Sequence, residues 1–338
     1  MRRLLAASAL VLLVTALAAA PAVACGGLVA PNGTVRLLRT STLAAYHAGV
    51  EHYITSFTFT GGGAEVGSIV PLPGVPTKVE RGGDWTLQRL QRETQPVFEA
   101  AAASTDAGAR TTSAKVLLET RIDALDLTVL EGGAAEVGRW ATEHGFALSP
   151  DAPEVLEFYA ARSPIFLAAR FDAKAAAARQ QGVGDGTPVH LTIPTDRPWV
   201  PLRILALGRG EAEPVEADVY LLTDRQPDLL GLTGLREERS EPASAALLQD
   251  LRFDKGMQWV PYSMWLTHLR VDAPARVLDH DLAISVDERS PSSVDAGYSL
   301  ISSTEPIDEH GRPPLWPFVL VTALVGAASV PLLRRRWG

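Results

Sequence analysis

The chain of 338 residues is predicted to have an α+β fold, with mixed or antiparallel sheets, several packed helices and one C-terminal transmembrane helix. Runs rich in β-branched and aromatic residues, such as residues 50–60, indicate strands. Amphipathic segments between such runs indicate helices, without the strict alternation of strand and helix that builds a parallel sheet. Residues 315–333 carry no charge and are long enough to cross the ~30 Å apolar core of a bilayer.

Residues 1–24 have the features of a secretory signal peptide. Two arginines precede an apolar run, which ends in Pro21 and in small residues at alternate positions. Cleavage is therefore predicted between Ala24 and Cys25. The alternative is an uncleaved anchor helix, because the apolar run nearly reaches a spanning length, but Pro21 and the small residues favour cleavage.

Residues 25–99 are predicted to form an N-terminal α+β lobe, with further strands at 35–39 and 65–70. The strand at 50–60 has a partly apolar face of period two. Its members are Tyr53, Thr55, Phe57 and Phe59. A helix is predicted from about residue 85 to residue 99, with Asp84 as its N-terminal cap.

Residues 100–114 are rich in small residues and are predicted to be a linker, followed by a second α+β lobe at 115–288. Helices are predicted at 134–144, after a capping-box pattern at Asp151 and Glu154, at the start of 173–186, and around 247–251. Strands are predicted at 115–122, 125–130, 165–171, 189–193, 202–207, 215–223, 259–271 and 282–286.

The end of the chain is predicted to be a stalk at 289–314, a transmembrane helix at 315–333 and a cytoplasmic tail at 334–338. Acidic residues precede the span and three arginines follow it, so the positive-inside rule places the C-terminus in the cytoplasm. A buried core helix is the alternative, but such a helix rarely ends in an arginine cluster. The predicted location is the cell membrane, single-pass, with the N-terminus outside and an extracytoplasmic ectodomain.

Charge and cysteine content limit the partners. The net charge of −8 argues against nucleic acid as a ligand. Cys25 is the single cysteine, so no disulfide can form within one chain. Three interpretations of Cys25 are open: lipid attachment, an unmodified N-terminal cysteine, and an intermolecular disulfide or reactive thiol.

Several short segments, in this order and spacing, resemble the bacterial domain-of-unknown-function 2330 family over roughly residues 25–225. They are Ala24-Cys25-Gly26-Gly27, Ile69-Val70-Pro71-Leu72-Pro73, Thr94-Gln95-Pro96, Thr128-Val129-Leu130 with Trp140 and Gly145-Phe146, and Pro201-Leu202-Arg203. The resemblance implies an exported, often membrane-tethered protein and supplies no catalytic residues. Relatives often place a second cysteine shortly after Cys-Gly-Gly, where this chain has Leu28-Val29-Ala30, and an aromatic residue where it has Ser68. The missing cysteine argues against a dithiol or metal role for this end.

Histidines offer weak candidates for metal ligands. His47 and His52, with Glu51, resemble the inverted zinc motif, but the spacing is one residue too long and Gly49 interrupts it. A turn with two exposed histidines is the favoured interpretation. His280 lies between two aspartates, but adjacent strand residues would point to opposite faces.

No nucleotide loop or catalytic motif is found in the sequence. The glycines at 182, 184 and 186 follow a helical run, whereas a dinucleotide motif must follow a strand and open a helix. They are predicted to end the helix. No cofactor is therefore predicted.

An aromatic segment supplies the candidate binding surface: Trp259, Tyr262 and Trp265. Exposed aromatic rings on an exported protein could stack on sugars or on a partner. The alternative, a central buried strand with apolar residues on both faces, is the favoured interpretation.

Together these features favour a non-catalytic ectodomain that binds an envelope protein or a glycan, attached to the membrane by its C-terminal helix. Two alternatives are open: an envelope hydrolase whose site is not visible as a motif, and a thiol or metal protein that uses Cys25. The sequence does not determine the oligomeric state.

Overall fold

A seven-stranded sheet is the largest element of the computed structural model, which describes residues 27–29, 36–60, 65–94, 116–179, 187–285 and 289–298. In sheet order its strands are β13 (Leu235–Pro242), β14 (Trp265–Pro274), β11 (Pro214–Thr223), β2 (Arg36–His47), β3 (Val50–Thr60), β9 (Val189–Pro194) and β5 (Lys78–Arg81). β11 and β2 run parallel, and the other neighbours in this sheet run antiparallel.

Two smaller sheets are antiparallel throughout. The five-stranded sheet has the order β1 (Gly27–Val29), β4 (Glu65–Leu72), β8 (Ile165–Asp172), β7 (Leu125–Glu131) and β6 (Val116–Ile122). The three-stranded sheet has the order β10 (Trp199–Val200), β15 (Leu282–Ile284) and β12 (Leu229–Leu230).

Six α-helices are described, together with two short 3₁₀ helices at Arg203–Ala206 and Ala275–Val277. The α-helices are α1 (Thr86–Thr94), α2 (Ala134–Glu143), α3 (Ala152–Ala160), α4 (Ala173–Ala178), α5 (Ala245–Phe253) and α6 (Ser293–Ala296). Together with the three sheets, these helices confirm the predicted α+β class.

The two faces of the seven-stranded sheet contribute to two separate cores. Tyr53 on β3 belongs to the larger core, which also contains Ile69 and Phe166 of the five-stranded sheet. Its neighbour Ile54 points to the opposite face and belongs to the smaller core. There it packs with apolar residues of α1 and α5, because successive side chains of a strand alternate between faces.

The hairpin between β2 and β3 turns over two residues, Ala48 and Gly49. Both have positive φ angles, 50° and 80°. Turns of this type match the right-handed twist of the flanking strands. The tight turn fixes the register in which His47 lies opposite Val50 and Ala45 lies opposite His52.

Helix α1 is capped by a residue far away in the sequence. The Asp254 carboxylate accepts hydrogen bonds from the backbone N–H groups of Asp84 (2.9 Å) and Trp85 (3.0 Å) and from the Thr86 hydroxyl (2.7 Å). The prediction that Asp84 caps this helix is wrong, since the Asp84 side chain pairs with Arg81 instead. Gly83 makes room for the cap, because a Cβ there would lie 2.1 Å from an Asp254 oxygen.

Asp281 plays a similar structural role at the three-stranded sheet. Its buried Oδ1 accepts hydrogen bonds from the Tyr159 hydroxyl (2.8 Å) and from the backbone N–H groups of Leu202 (2.7 Å) and Arg203 (3.1 Å). Its Oδ2 pairs with Arg162. The carboxylate thereby caps the 3₁₀ helix at Arg203–Ala206, where the sequence predicted a strand, and that prediction is wrong.

Strands from both predicted lobes take part in each of the two larger sheets. β4 pairs with β8, and β3 pairs with β9, across the segment predicted to be a linker. The predicted signal peptide, linker and transmembrane helix themselves lie outside the described residues. Among those that are described, no helix combines the length and the apolar character that a membrane span requires.

Candidate functional site

Two histidines come together on the face of the seven-stranded sheet that packs against α1 and α5. His52 lies on β3 opposite Thr192 of β9, and His190 of β9 lies opposite Ile54. The two histidines are therefore diagonal neighbours across one strand pair. We call His52, His190, Glu80 and Trp259 the histidine cluster.

The cluster is held by direct contacts between rings. Nδ1 of His52 lies 3.0 Å from Nε2 of His190, within hydrogen-bond distance. The Trp259 ring stacks on His52, with 3.6 Å between the centroids and 3° between the planes. His190 is 2% exposed and His52 is half-buried, so the pair lies just beneath the surface.

Burial keeps both histidines neutral at pH 7. Desolvation by burial, helped by the nearby His190 and His47, lowers the pKa of His52 to about 3. Burial also lowers the pKa of His190 to about 4, although Glu80 opposes the shift. Two neutral imidazoles can share one hydrogen bond, with one nitrogen donating and the other accepting.

Glu80 approaches the second ring nitrogen of His190. Its Oε1 lies 3.7 Å from Nδ1 of His190 and 2.7 Å from Nζ of Lys78. A Cβ at Gly256, whose φ is +78°, would lie 3.8 Å from that Nδ1. Gly256 therefore lies close to the buried edge of His190.

The three histidines named from the sequence do not converge. His47 is half-buried and its Nδ1 lies 2.7 Å from Asp224, whereas His280 is buried beside Asp279 near the three-stranded sheet. His52 instead pairs with His190, which was not among the candidates. In the described part of the chain, no group of three or more His, Cys, Asp or Glu side chains is arranged to hold a metal ion.

Glu51 is the residue whose environment differs most from expectation. Its side chain is fully buried, and burial raises its pKa to about 8 against a lowering by the Trp199 backbone N–H. The predicted turn is present at Ala48 and Gly49, which are exposed, but the prediction that both histidines are exposed is wrong, since His47 and His52 are half-buried. The period-two face of Tyr53 and Thr55 also includes Glu51 and was the signal that could have placed it inside.

A buried Asp–His pair lies on the face of the large sheet that carries the histidine cluster. Nε2 of His268 on β14 lies 2.9 Å from Oδ1 of Asp218 on β11, and Tyr220 stacks on the His268 ring at 4.7 Å. All three side chains are buried. Burial of all three places the pair in the packing of the sheet rather than in an open cleft.

The aromatic segment is a loop up to Met264, and its strand begins at Trp265, six residues later than predicted. Trp259 packs on His52, and Nε1 of Trp265 donates a hydrogen bond of 3.0 Å to Ser240. Tyr262 is 86% exposed. The three residues therefore do not form one exposed face.

Tyr262 instead lies beside the C-terminal end of α5. The guanidinium of Arg252 lies 4.0 Å from the centroid of its ring, and the next residue, Phe253, is 76% exposed. Nη1 of Arg252 also donates a hydrogen bond of 2.8 Å to the Pro261 carbonyl. We call Arg252, Phe253 and Tyr262 the aromatic tip.

Solved structures of a viral protein share low similarity with the chain. The crystal structure of baculovirus P35 matches at 8% identity and a TM-score of 0.41, over 75% of this chain and 98% of that chain. The crystal structure of the caspase-8/P35 complex matches at 9% identity and a TM-score of 0.37, over 76% of this chain and 97% of that chain. Comparison with curated proteins finds no match.

A family model, in contrast, matches residues 19–228, which is more than half of the 338 residues. Its description is an uncharacterised protein conserved in bacteria, DUF2330. The match includes the hairpin that carries His52 and the strand that carries His190, and it ends before the aromatic tip. The chain belongs to the DUF2330 family of bacterial proteins.

Proposed function

We propose that this protein is anchored in the bacterial membrane by its C-terminal segment and binds an envelope partner outside the cell through the aromatic tip. The apolar segments at the two ends of the chain support export and anchoring. The exposure of Phe253 and Tyr262 is the observation that carries the binding function. Binding of this kind requires neither a catalytic site nor a cofactor.

The exposure of two aromatic residues that both adjoin Arg252 calls for an explanation. Burying a large apolar side chain away from water lowers the free energy of the protein, and most of those described here are buried. The two most exposed are Tyr262, at 86%, and Phe253, at 76%. The Tyr262 ring contacts the Arg252 guanidinium, and Phe253 follows Arg252 in the sequence. Clustered exposure of this kind marks binding surfaces more often than single exposed residues do.

The tip is fixed before any partner arrives. Arg252 ties the loop to α5 through the Pro261 carbonyl, and Trp259 anchors the same loop on His52. At the base of the loop, Asp254 is bonded to the start of α1. A rigid surface loses less conformational entropy on binding, which leaves more of the contact energy as affinity.

The chemistry of the tip suits a glycan of the envelope. Aromatic faces cover the apolar C–H faces of sugar rings, and the Arg252 guanidinium adds donors for hydroxyl or carboxylate groups. A second possibility, an envelope protein with an apolar patch, would use the same rings. A test of both must therefore compare glycan and protein fractions.

The double substitution Phe253→Ala with Tyr262→Ala tests the proposal. Full-length protein in mild detergent is mixed with isolated cell-wall glycan and, separately, with envelope proteins, and binding is measured by cosedimentation and calorimetry. Loss of ~0.5–1.5 kcal/mol per ring predicts roughly five- to 150-fold weaker binding for the double variant.

Leu232→Ala is the matched control, since Leu232 is also an exposed apolar residue, at 44%, but lies near the three-stranded sheet. It is expected to bind as the wild type does. Equal binding by the double variant and the wild type, or no binding to either fraction, contradicts the proposal.

A further inference from the structure

We propose that His52 and His190 together bind one Cu²⁺ ion, with water in the remaining coordination positions. This site lies in the histidine cluster, and the proposal does not depend on binding by the aromatic tip. In the structure these two histidines lie within hydrogen-bond distance of each other, and the proposal places a metal ion on the same two nitrogens.

The separation of the two nitrogens suits adjacent positions on one metal ion. With bonds of about 2.0 Å at a right angle, two nitrogens of a tetragonal copper site lie about 2.8 Å apart. Nδ1 of His52 and Nε2 of His190 lie 3.0 Å apart. Tetrahedral zinc would place the two nitrogens about 3.3 Å apart, so the observed separation lies between the two geometries. Copper is chosen because imidazole sites bind Cu²⁺ more tightly than Zn²⁺.

The protonation of the pair also suits a metal. Nδ1 of His190 faces the Glu80 carboxylate, which favours the proton on that nitrogen and leaves a lone pair on Nε2. Nδ1 of His52 then donates the hydrogen bond. On binding, the ring proton of His52 moves from Nδ1 to Nε2, so that each of the two facing nitrogens offers a lone pair to the ion.

Glu80 occupies the place of an outer partner that orients a ligand. Histidine ligands usually present their second ring nitrogen to a carboxylate, which fixes the ring and raises its basicity. Glu80 Oε1 lies 3.7 Å from that nitrogen of His190, and a small movement would form the hydrogen bond. Lys78 holds Glu80 in this position with a 2.7 Å ion pair.

The surroundings fix His52 while leaving it within reach of solvent. Trp259 stacks over its ring at 3.6 Å, and the residue is half-buried rather than enclosed. His190 is held by β9 and is almost fully buried. Because both rings are held in place before binding, little conformational entropy is lost when the ion binds.

The test uses the full-length protein in mild detergent, titrated with Cu²⁺ at pH 7 and followed by tryptophan fluorescence and electron paramagnetic resonance. We expect one bound ion, with hyperfine coupling to two imidazole nitrogens, and quenching of fluorescence because Trp259 is stacked on a ligand. Zn²⁺ is expected to compete more weakly, as the general order of stability for divalent metals requires. Absence of bound copper, or coupling to a single nitrogen, overturns the proposal.

Three variants locate the ion. His52→Gln is expected to weaken copper binding at least tenfold, and Glu80→Gln to weaken it in the same direction while the pair remains. His144→Gln, which changes a half-buried histidine bonded to the Trp140 carbonyl, is the control and should bind as the wild type does. Unchanged affinity in His52→Gln overturns the proposal.

Trp259→Phe separates the readout from the binding. This variant should lose part of the quenching and keep the two-nitrogen signal, because the tryptophan reports on the ion without holding it. A variant that keeps full quenching shows that the ion lies elsewhere and contradicts the assignment.

Discussion

Glu51 places a carboxyl group in the interior of the large sheet, with no exposed surface. Burial raises its pKa from 4.5 to about 8. The protonated form is therefore the one that the folded state favours. Its contribution to stability is complete below pH 4.5, where the unfolded chain is also protonated, and is lost as the pH rises towards 8.

We expect Glu51→Gln to remove this pH dependence. Between pH 4.5 and pH 8 the wild type should lose about 1.4 kcal/mol of unfolding free energy per pH unit through this group, and the variant should not. Urea unfolding of both proteins across this range measures the difference. Glu237→Gln, at an exposed position on β13, is the control.

The outcome that matters is the slope rather than the absolute stability. Burying the glutamine amide also has a cost, but this cost does not vary with pH because the amide does not titrate. Parallel curves for wild type and Glu51→Gln would show that the carboxyl group does not titrate as described.

His52 and His190 show how far residue patterns reach. The spacing of His52 from His47 and Glu51 identifies it as a candidate metal ligand, whereas no neighbouring residue in the sequence identifies His190 as one. The two are 138 residues apart in sequence and meet because β3 pairs with β9. A site built by sheet pairing is invisible to motif analysis until the strand order is known.

At the scale of elements, α1 depends on a cap supplied by the loop after α5. We expect Asp254→Ala to lower the free energy of unfolding by about 1–3 kcal/mol, because two backbone N–H groups and the Thr86 hydroxyl lose their acceptor. Chemical denaturation measures the loss.

Asp84→Ala is the matched comparison for that prediction. Asp84 stands where a local cap would, but its half-exposed carboxylate makes a surface ion pair with Arg81. Such pairs contribute about 0–1 kcal/mol, so this variant should be nearly as stable as the wild type. A larger loss in Asp84→Ala than in Asp254→Ala would contradict the assignment of the cap.

Elements with a strong apolar pattern were predicted well, and edge elements were not. α2 occupies Ala134–Glu143, close to the predicted 134–144, because Val137, Trp140 and Ala141 recur at helical spacing and are buried. β5 and β13, the edge strands of the large sheet, were missed. Their side chains are mostly exposed or half-buried, so neither carries the alternation that identifies a strand.

At the scale of the whole molecule, the predicted topology can be tested directly. We consider a fusion, after Gly338, to a fluorescent protein that folds only in the cytoplasm. The fusion should fluoresce, because the C-terminus is predicted to be cytoplasmic, and it should stay with the membranes at alkaline pH, because the span anchors it. The same reporter fused after residue 312, before the apolar segment, should be exported and dark. Fluorescence from the shorter fusion would contradict export.

The pairing of β2 with β11 has a kinetic consequence. His47 and Asp224, at the ends of these parallel strands, are 177 residues apart and 2.7 Å from each other. Contacts between such distant parts of a chain form slowly, because a long loop must close first. The large sheet is therefore complete only after β11 has joined β2. The slow closure leaves the chain unfolded for longer, as the export proposed above would require.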